Sequence, residues 1–246
     1  MPPSASASRH AAAQLRGLRA HQCDATATYT APDGARAYVL LDGIGDTPAV
    51  SAWVRSTARW LARACAVRGD AEAGVRAVYT VLAARSAAEA AAVAAVAAPG
   101  RPLTVAWAGD TRAYLLGPDG LERLTEDHNM RRVEGPGGDR NTVTSCLGSE
   151  LTDAECRRWN RHPAVESTVR PAGACRLLLA SDGAYEPIED DGAAPGLAAL
   201  TATGSPRTAA HALVRQAVDR SAAATRARPY GPHADNATVL IADLRP

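Results

Sequence analysis

The chain of 246 residues carries 27 Lys and Arg side chains against 26 Asp and Glu, a net charge of +1 at pH 7. Charges of both signs are scattered along it, so no long-range field favours binding to nucleic acid or to an anionic membrane. The length suits one large domain, and no segment has the ~20 consecutive apolar residues of a membrane span or the apolar run of a secretory signal.

The cysteines and the first residues suggest where the protein works and where its domain begins. Five cysteines without C-x-x-C spacing argue against a disulfide framework or a zinc knuckle, so we expect a soluble protein in a reducing cytoplasm. The start of the chain is rich in Ser, Ala and Pro without periodic apolar positions. This composition predicts a flexible tail over residues 1–14 and a single domain over residues 15–246.

The first predicted elements form a β-hairpin. Residues 25–29 and 36–41 are short β-prone runs, and the turn signal Pro32-Asp33-Gly34 separates them.

Two long helices are predicted next. Apolar residues recur at three- and four-residue steps from Val50 to Ala64, which predicts an amphipathic helix that buries Trp53 and Trp60. The spacing repeats over residues 75–96, where alanine predominates, and predicts a second helix that stops before a Pro-Gly pair.

The rest of the chain contains brief apolar runs bounded by Gly, Pro and Asp, which predict antiparallel strands, then one helix and a closing strand. The strands cover residues 103–108, 113–116, 121–125, 165–169 and 176–180, the helix includes residues 209–218, and the closing strand covers residues 238–241. This order differs from the alternation of a parallel doubly wound sheet. We therefore expect an α+β fold with segregated layers of helix and antiparallel sheet.

Several aspartates lie at the ends of predicted strands, where a rigid scaffold commonly delivers active-site acids. They are Asp24, Asp42, Asp110, Asp182 and Asp235. Taken alone, an Asp-Gly pair such as Asp42-Gly43 is in most cases only a turn. Clustered carboxylates, however, repel one another unless a cation lies among them, and oxygen ligands favour magnesium, manganese or calcium over zinc. The pattern predicts a polynuclear magnesium or manganese site.

Seven segments, in family order, resemble motifs of the metal-dependent protein phosphatases of the PPM, or protein phosphatase 2C-like, family. They are RAHQCD with Arg19 and Asp24, LLDGIGD with Asp42, Gly109-Asp110-Thr111-Arg112, LTEDH ending at His128, NTVTSCLG ending at Gly148, LLLASDGAYE with Asp182, and Asp235-Asn236-Ala237-Thr238. The resemblance spans nearly the whole chain. It departs from the family pattern at Gln22, Cys23 and Asp46, where the family has Asn, Glu and Gly.

The resemblance implies a four-layer α/β/β/α sandwich, with two antiparallel sheets flanked by helices, and a metal-dependent serine/threonine phosphatase of bacterial type. In such an enzyme a metal-bridging hydroxide attacks the phosphorus of phosphoserine or phosphothreonine. The implied ligands of two manganese or magnesium ions are Asp24, Asp42, Asp182, Asp235 and the carbonyl of Gly43, with Asp110 and Asp182 at a third, weaker ion. Arg19 would clamp the phosphate alongside the catalytic Asp42 and Asp182. Arg112 and Asn236 would orient neighbouring groups.

Other functions stay open on the sequence alone. A catalytically silent regulatory domain that binds phosphoprotein is motivated by Gln22, Cys23, Asp46 and the short glycine-rich segment 130–140. A phosphatase acting on nucleotides or other small molecules would use the same metals. We interpret His128 as a structural hydrogen-bonding group. The expected partners are a phosphorylated protein and a serine/threonine kinase pathway, with neither nucleic acid nor membrane.

Overall fold

The computed structural model describes residues 10–85, 88–227, 229 and 231–245. Its strands are β1 (His10–Leu15), β2 (Asp24–Thr30), β3 (Arg36–Gly43), β4 (Ala90–Ala97), β5 (Leu103–Ala108), β6 (Arg112–Gly117), β7 (Gly120–Arg123), β8 (Glu166–Arg170), β9 (Cys175–Ala180) and β10 (Ala237–Leu244). Its helices are α1 (Pro48–Arg68), α2 (Ala71–Ala83), α3 (Met130–Glu134), α4 (Asp153–Asn160), α5 (Asp182–Asp191), α6 (Leu197–Ala202) and α7 (Pro206–Thr225).

The strands form two antiparallel five-stranded sheets, in the orders β1-β10-β9-β6-β7 and β2-β3-β4-β5-β8. Apolar side chains of both sheets meet in a central core that includes Leu40, Val93, Leu179 and Leu240. Helices α1 and α2 pack on the outer face of the second sheet, and α5, α6 and α7 pack on the outer face of the first. The expected α+β sandwich of four layers is confirmed. No helix in the described ranges is long and apolar enough to cross a membrane.

The prediction of a second long helix over residues 75–96 is wrong in its second half. Helix α2 ends at Ala83, and residues 90–97 form the central strand β4, which pairs with β3 and β5. Val93 and Ala95 face the core between the sheets, whereas Ala94 and Val96 face α1. A strand buried on both faces is apolar at every position, so periodicity cannot identify it, and here tertiary pairing outweighs the helix propensity of alanine.

The predicted tail also needs a correction. Strand β1 begins at His10 and pairs with β10 along its length, so residues 10–14 belong to the domain. Only Ala13 of this strand is buried, and an alanine-rich edge strand with one inward residue carries almost no apolar pattern. Residues 1–9 of the predicted tail lie outside the described residues.

The prediction that both tryptophans of α1 are buried is wrong for Trp60. Trp53 packs partly against the core, but the side chain of Trp60 is 38% exposed. Smaller residues of α1, among them Ala58, Leu61 and Ala62, cover the sheet instead.

The fold brings the aspartate-bearing strand ends to one end of the sandwich. Asp24 opens β2 and lies directly opposite Asp42 near the end of β3. Asp110 follows β5, Asp182 follows β9 after one residue, and Asp235 precedes β10, which pairs with β9. The scaffold thus delivers acids far apart in the chain to neighbouring places.

Candidate active site

A cleft of about 1020 Å³ opens at this end of the sandwich. Its lining includes Arg19, Asp42, Gly43, Asp110, Asp182, Asp235 and Asn236. Asp24, 3% exposed, lies close enough for the charges of Asp182 and Asp235 to act on it. The structure therefore brings all five aspartates singled out in the sequence together, and we call Asp24, Asp42, Asp110, Asp182 and Asp235 the carboxylate cluster.

Burial and mutual repulsion disfavour the charged forms of these acids. Burial and the charge of Asp182 raise the pKa of Asp24 to about 8. Burial, with the charges of the other members, raises the pKa of Asp42 well above its ordinary range. Burial also raises the pKa of Asp110 well above its ordinary range, with the charges of Asp182 and Asp127. The pKa of Asp182 is also raised, by burial and by the charge of Asp235. Such a cluster can be fully ionised only with cations beside it.

The groups present fit a hard divalent cation. Among the described residues, the buried Oδ1 atom of Asp24 has no hydrogen-bond partner, as expected of an oxygen left for a metal. A Cβ on Gly43 would lie 2.6 Å from Cγ2 of Val54 and 2.7 Å from the carbonyl oxygen of Cys23, so only glycine fits beside Asp42. Every candidate ligand atom in the cluster is an oxygen, whereas zinc sites typically use thiolate sulfurs and imidazole nitrogens.

The carboxylates are not yet arranged as a ligand cage. In the described ranges, no three His, Cys, Asp or Glu side chains are placed to hold an ion. Oδ2 of Asp235 instead accepts a hydrogen bond from Arg19, and its Oδ1 accepts one from the amide of Asn236. Oδ1 of Asp182 accepts one from the amide of Gly183. Binding of a cation therefore requires these side chains to exchange protein donors for the metal.

Arg19 forms an ion pair with a member of the carboxylate cluster. Its Nη2 donates to Oδ2 of Asp235 at 2.5 Å, and its side chain is 36% exposed. Its buried Nε has no partner among the described residues, so part of the guanidinium fork is unused. A planar guanidinium with an unpartnered donor beside a carboxylate-lined cleft suits an oxyanion.

Asn236 positions the loop that carries Arg19. Its Nδ2 donates to the carbonyl oxygens of Arg16 at 2.8 Å and of His21 at 3.0 Å, and its Oδ1 accepts from the amide of Cys23 at 2.6 Å. These three bonds hold the segment before Asp24 against the chain that carries Asp235.

Arg112 contacts two acids outside the carboxylate cluster. It pairs with Asp127 at 2.6 Å and with Glu189 at 2.7 Å, and its guanidinium lies 3.7 Å from the ring centroid of Tyr185. The hydroxyl of Tyr185 donates to the carbonyl oxygen of Asp110 at 3.0 Å. Arg112 therefore contacts Tyr185, and Tyr185 in turn is hydrogen-bonded to the backbone of Asp110.

Sequence reasoning missed Ser181 and Tyr185. Ser181 is fully buried, donates from Oγ to Oδ2 of Asp24 at 3.0 Å and accepts from the amide of Thr238 at 3.0 Å. It occupies the N-cap position of α5 but makes no capping hydrogen bond there. A serine directly before the Asp-Gly pair was the available signal for Ser181. No comparable signal marked Tyr185, because its role depends on the placement of α5.

Asp46 was noted in the sequence only as a departure from the family pattern. Its carboxylate accepts hydrogen bonds from the amides of Ala20 at 2.9 Å and His21 at 2.6 Å. The bond from Ala20 lowers the pKa of Asp46 below its ordinary value. Asp46 therefore anchors the loop next to Arg19.

His128 is buried in a neighbouring group of charges. Its Nδ1 accepts from the amide of Gly109, and its Nε2 lies 3.0 Å from Oε2 of Glu166. The ring stacks on His162 with centroids 4.0 Å apart. Burial lowers the pKa of His128 to about 4, so the ring is neutral near pH 7 and donates from Nε2 to Glu166. This agrees with its interpretation as a structural group.

The short segment 130–140 borders the cleft. It contains helix α3, and Arg140 at its end lines the cleft together with Asn141. Arg140 forms ion pairs with Glu186 at 3.1 Å and with Asp190 at 2.7 Å on α5. The segment is therefore fastened to the helix that begins at Asp182.

Comparison with solved structures shows which proteins share this fold. The chain is similar to the Mycobacterium tuberculosis serine/threonine phosphatase PstP/Ppp, with 25% identity, a TM-score of 0.67, and coverage of 97% of this chain and 99% of that one. PppA, described as a key regulatory component of T6SS in Pseudomonas aeruginosa, shares the fold at 22% identity and a TM-score of 0.69, covering 96% and 97%. The catalytic domain of PstP in complex with two manganese ions also shares it, at 23% identity and a TM-score of 0.64, covering 97% and 99%.

Comparison of the sequence with curated proteins finds no significant match. Comparison with family models does find one. The family described as Protein phosphatase 2C matches residues 82–225, more than half of the chain. This range contains Asp110 and Asp182, while the structure adds Asp24, Asp42 and Asp235 to the same cleft. The chain therefore belongs to the protein phosphatase 2C family.

Proposed function

We propose that this protein is a metal-dependent phosphoprotein phosphatase that hydrolyses phosphoserine and phosphothreonine by direct attack of water. The observation that carries the proposal is the convergence of the five aspartates on one cleft, where a buried carboxylate oxygen of Asp24 has no hydrogen-bond partner among the described residues. Membership of the protein phosphatase 2C family supports the reaction class.

In this proposal Asp24, Asp42, Asp182 and Asp235, with the carbonyl of Gly43, hold two manganese or magnesium ions. Asp110 and Asp182 hold a third, weaker ion. Bound there, the ions supply Lewis acidity that lowers the pKa of a water and neutralises charge on the phosphoryl group. A relative of the same fold has been solved with two manganese ions, which supports the stoichiometry.

The remaining roles belong to side chains of this chain. Arg19, whose Nε has no partner among the described residues, holds the phosphate oxygens in a bidentate grip. Ser181 fixes the orientation of Asp24, and Asn236 holds the loop between Arg16 and Cys23. Tyr185, backed by Arg112, fixes the backbone at Asp110. The biological substrate is a phosphorylated protein of a serine/threonine kinase pathway.

The test is hydrolysis of a phosphothreonine peptide, a phosphoserine peptide and a nucleoside triphosphate, each with and without manganese. We expect release of phosphate from the peptides that depends on manganese and is lost in Asp42→Ala. Asp119→Ala, at an exposed turn, is the matched control and should remain active. Preferential hydrolysis of the nucleotide would indicate a small-molecule phosphatase. Binding of phosphopeptide without hydrolysis would indicate the silent regulatory domain.

A further inference from the structure

The loop that carries Arg19 is fixed on both sides of that residue. On one side, the amide of Leu18 donates to the carbonyl oxygen of Ala234 at 2.8 Å. On the other, the amide of Ala20 donates to Oδ2 of Asp46 at 2.9 Å. The first contact is made by backbone alone, whereas the second depends on one side chain.

Asp46 makes more than one bond to this loop. Its Oδ1 accepts from the amide of His21 at 2.6 Å and lies 3.3 Å from Nδ1 of the same histidine. The Nδ1 atom also lies 3.2 Å from the backbone oxygen of Asp46. One carboxylate thus binds two consecutive amides directly after Arg19, a geometry that fixes both the position and the direction of the chain.

The backbone before Asp46 is shaped for this contact. Gly45 has a φ of +126°, which an L residue does not adopt without strain. The turn follows Asp42 and Gly43 directly and precedes α1, whose N-cap is Thr47. Asp46 therefore belongs to the same short connection as the proposed ligand Asp42 and ties that connection to the Arg19 loop.

We propose that Asp46 is a positioning residue that sets Arg19 for its grip on the phosphoryl group. The inference rests on the proposed function of Arg19. A glycine at this position, as in the family pattern, offers no carboxylate, so this chain has its own way of holding the loop. Asp46 itself touches neither metal nor phosphate in this arrangement.

The experiment compares wild type with Asp46→Ala, Asp46→Asn and the control Asp33→Ala. Asp33 also accepts a backbone hydrogen bond at a turn, from the amide of Ala35 at 3.0 Å, but in the hairpin between β2 and β3. Three quantities are measured by calorimetry and kinetics: the affinity for manganese, the affinity of the manganese-loaded protein for inorganic phosphate, and KM and kcat for a phosphothreonine peptide.

We expect Asp46→Ala to bind phosphate about tenfold more weakly and to raise KM similarly, because two charge-assisted hydrogen bonds to the loop are lost. Manganese affinity should stay within about twofold of wild type, and Asp46→Asn, which keeps one acceptor oxygen, should be intermediate. Asp33→Ala should match wild type in all three.

Unchanged phosphate affinity and KM in Asp46→Ala would overturn the inference, and so would an equal loss in Asp33→Ala. A loss of manganese affinity as large as the loss of phosphate affinity would also overturn it, because Asp46 would then act on the metal site. If wild type binds phosphate in an Asp46-dependent way but hydrolyses no peptide, the proposed function fails while the positioning role stands. If wild type binds no phosphate, both fail.

Discussion

Two neighbouring groups of buried and half-buried ionisable residues differ in how their charges are balanced. The histidine cluster, formed by His128, His162, Glu166 and Arg132, pairs its carboxylate with Arg132 at 2.6 Å and with the neutral His128 at 3.0 Å. The carboxylate cluster places five acids in one region with Arg19 as the paired cation. The two groups adjoin, since the amide of His128 donates to the carbonyl oxygen of Gly109.

The difference indicates which group serves structure and which serves function. A buried charge that has its partner and its hydrogen bonds needs nothing further from solution. A buried set of like charges with an unpartnered oxygen is costly to the fold unless something else binds there. We therefore expect changes in the carboxylate cluster to affect catalysis and metal binding, and changes in the histidine cluster to affect stability.

The largest expected effect is on catalysis. Asp182→Ala should lower the rate of manganese-dependent phosphopeptide hydrolysis by about a thousandfold, because it removes an oxygen ligand shared by the proposed ions. Glu166→Gln should retain hydrolysis at a temperature where it remains folded. Comparable losses in both variants would erase the distinction between the clusters.

The histidine cluster should make the fold sensitive to acid. The folded-state pKa of His128 lies below the ordinary value of 6.5, at about 4, because burial disfavours the charged ring. The unfolded chain therefore binds more protons in this window, and stability present above pH 6.5 is lost as the pH falls to 4, by up to about 3 kcal/mol. Hydrogen bonds from His128 and Arg132 outweigh burial and lower the pKa of Glu166 to about 2, which adds a loss of the same sign below pH 4.5.

Urea unfolding at pH 7 and pH 4 checks this acid sensitivity. His128→Gln should show a smaller difference in free energy of unfolding between the two pH values than wild type. His162, whose pKa is also lowered by burial, should preserve part of the difference. An identical pH dependence in the variant would show that His128 is not the titrating group.

Manganese should stabilise the folded protein through the carboxylate cluster. At a free manganese concentration about 100 times the dissociation constant, linkage predicts a gain of about 2.7 kcal/mol in the free energy of unfolding. Asp24→Asn should lose most of this gain, whereas Asp119→Ala should keep it. Denaturant melts with manganese and with a chelator measure the gain, and an undiminished gain in Asp24→Asn would remove that residue from the ligand set.

The smallest effects should have opposite signs in the two clusters. In chelator at pH 8, Asp24→Asn should raise the free energy of unfolding by about 1 kcal/mol, because a buried like charge is removed. Glu166→Gln should lower it by about 2 kcal/mol, because Arg132 and His128 lose a charged partner. If the free energy of unfolding changed in the same direction in both variants, the proposed difference between the two clusters would be contradicted.

The sequence predicted the members of the carboxylate cluster because strand ends and turn dipeptides are local features. Asp42 and Asp182 each follow an apolar run and precede glycine, so their placement at strand ends could be inferred without the fold. Convergence of the two depends on sheet pairing, which their positions at strand ends do not determine by themselves. The predicted hairpin of β2 and β3 was confirmed for the same local reason.

Features that depend on distant contacts were missed or misassigned. The helix prediction failed at β4 because alternate alanines of this strand face two different cores. The contacts of Ser181 with Asp24 and of Asp46 with Ala20 join residues 157 and 26 positions apart, so no short pattern could reveal them. The pairing of Arg112 with Asp127 and its stacking on Tyr185 likewise join residues 15 and 73 positions apart.

The most direct test of the central claim is anomalous diffraction at the manganese absorption edge from crystals of the protein soaked in manganese. We expect two strong peaks in the cleft, both within coordination distance of oxygens from Asp24, Asp42, Asp182 and Asp235. Oδ1 of Asp24 should be among the ligands, and Arg19 should have left Asp235. The account would be contradicted if the strong peaks lay elsewhere and no manganese were bound at the five aspartates.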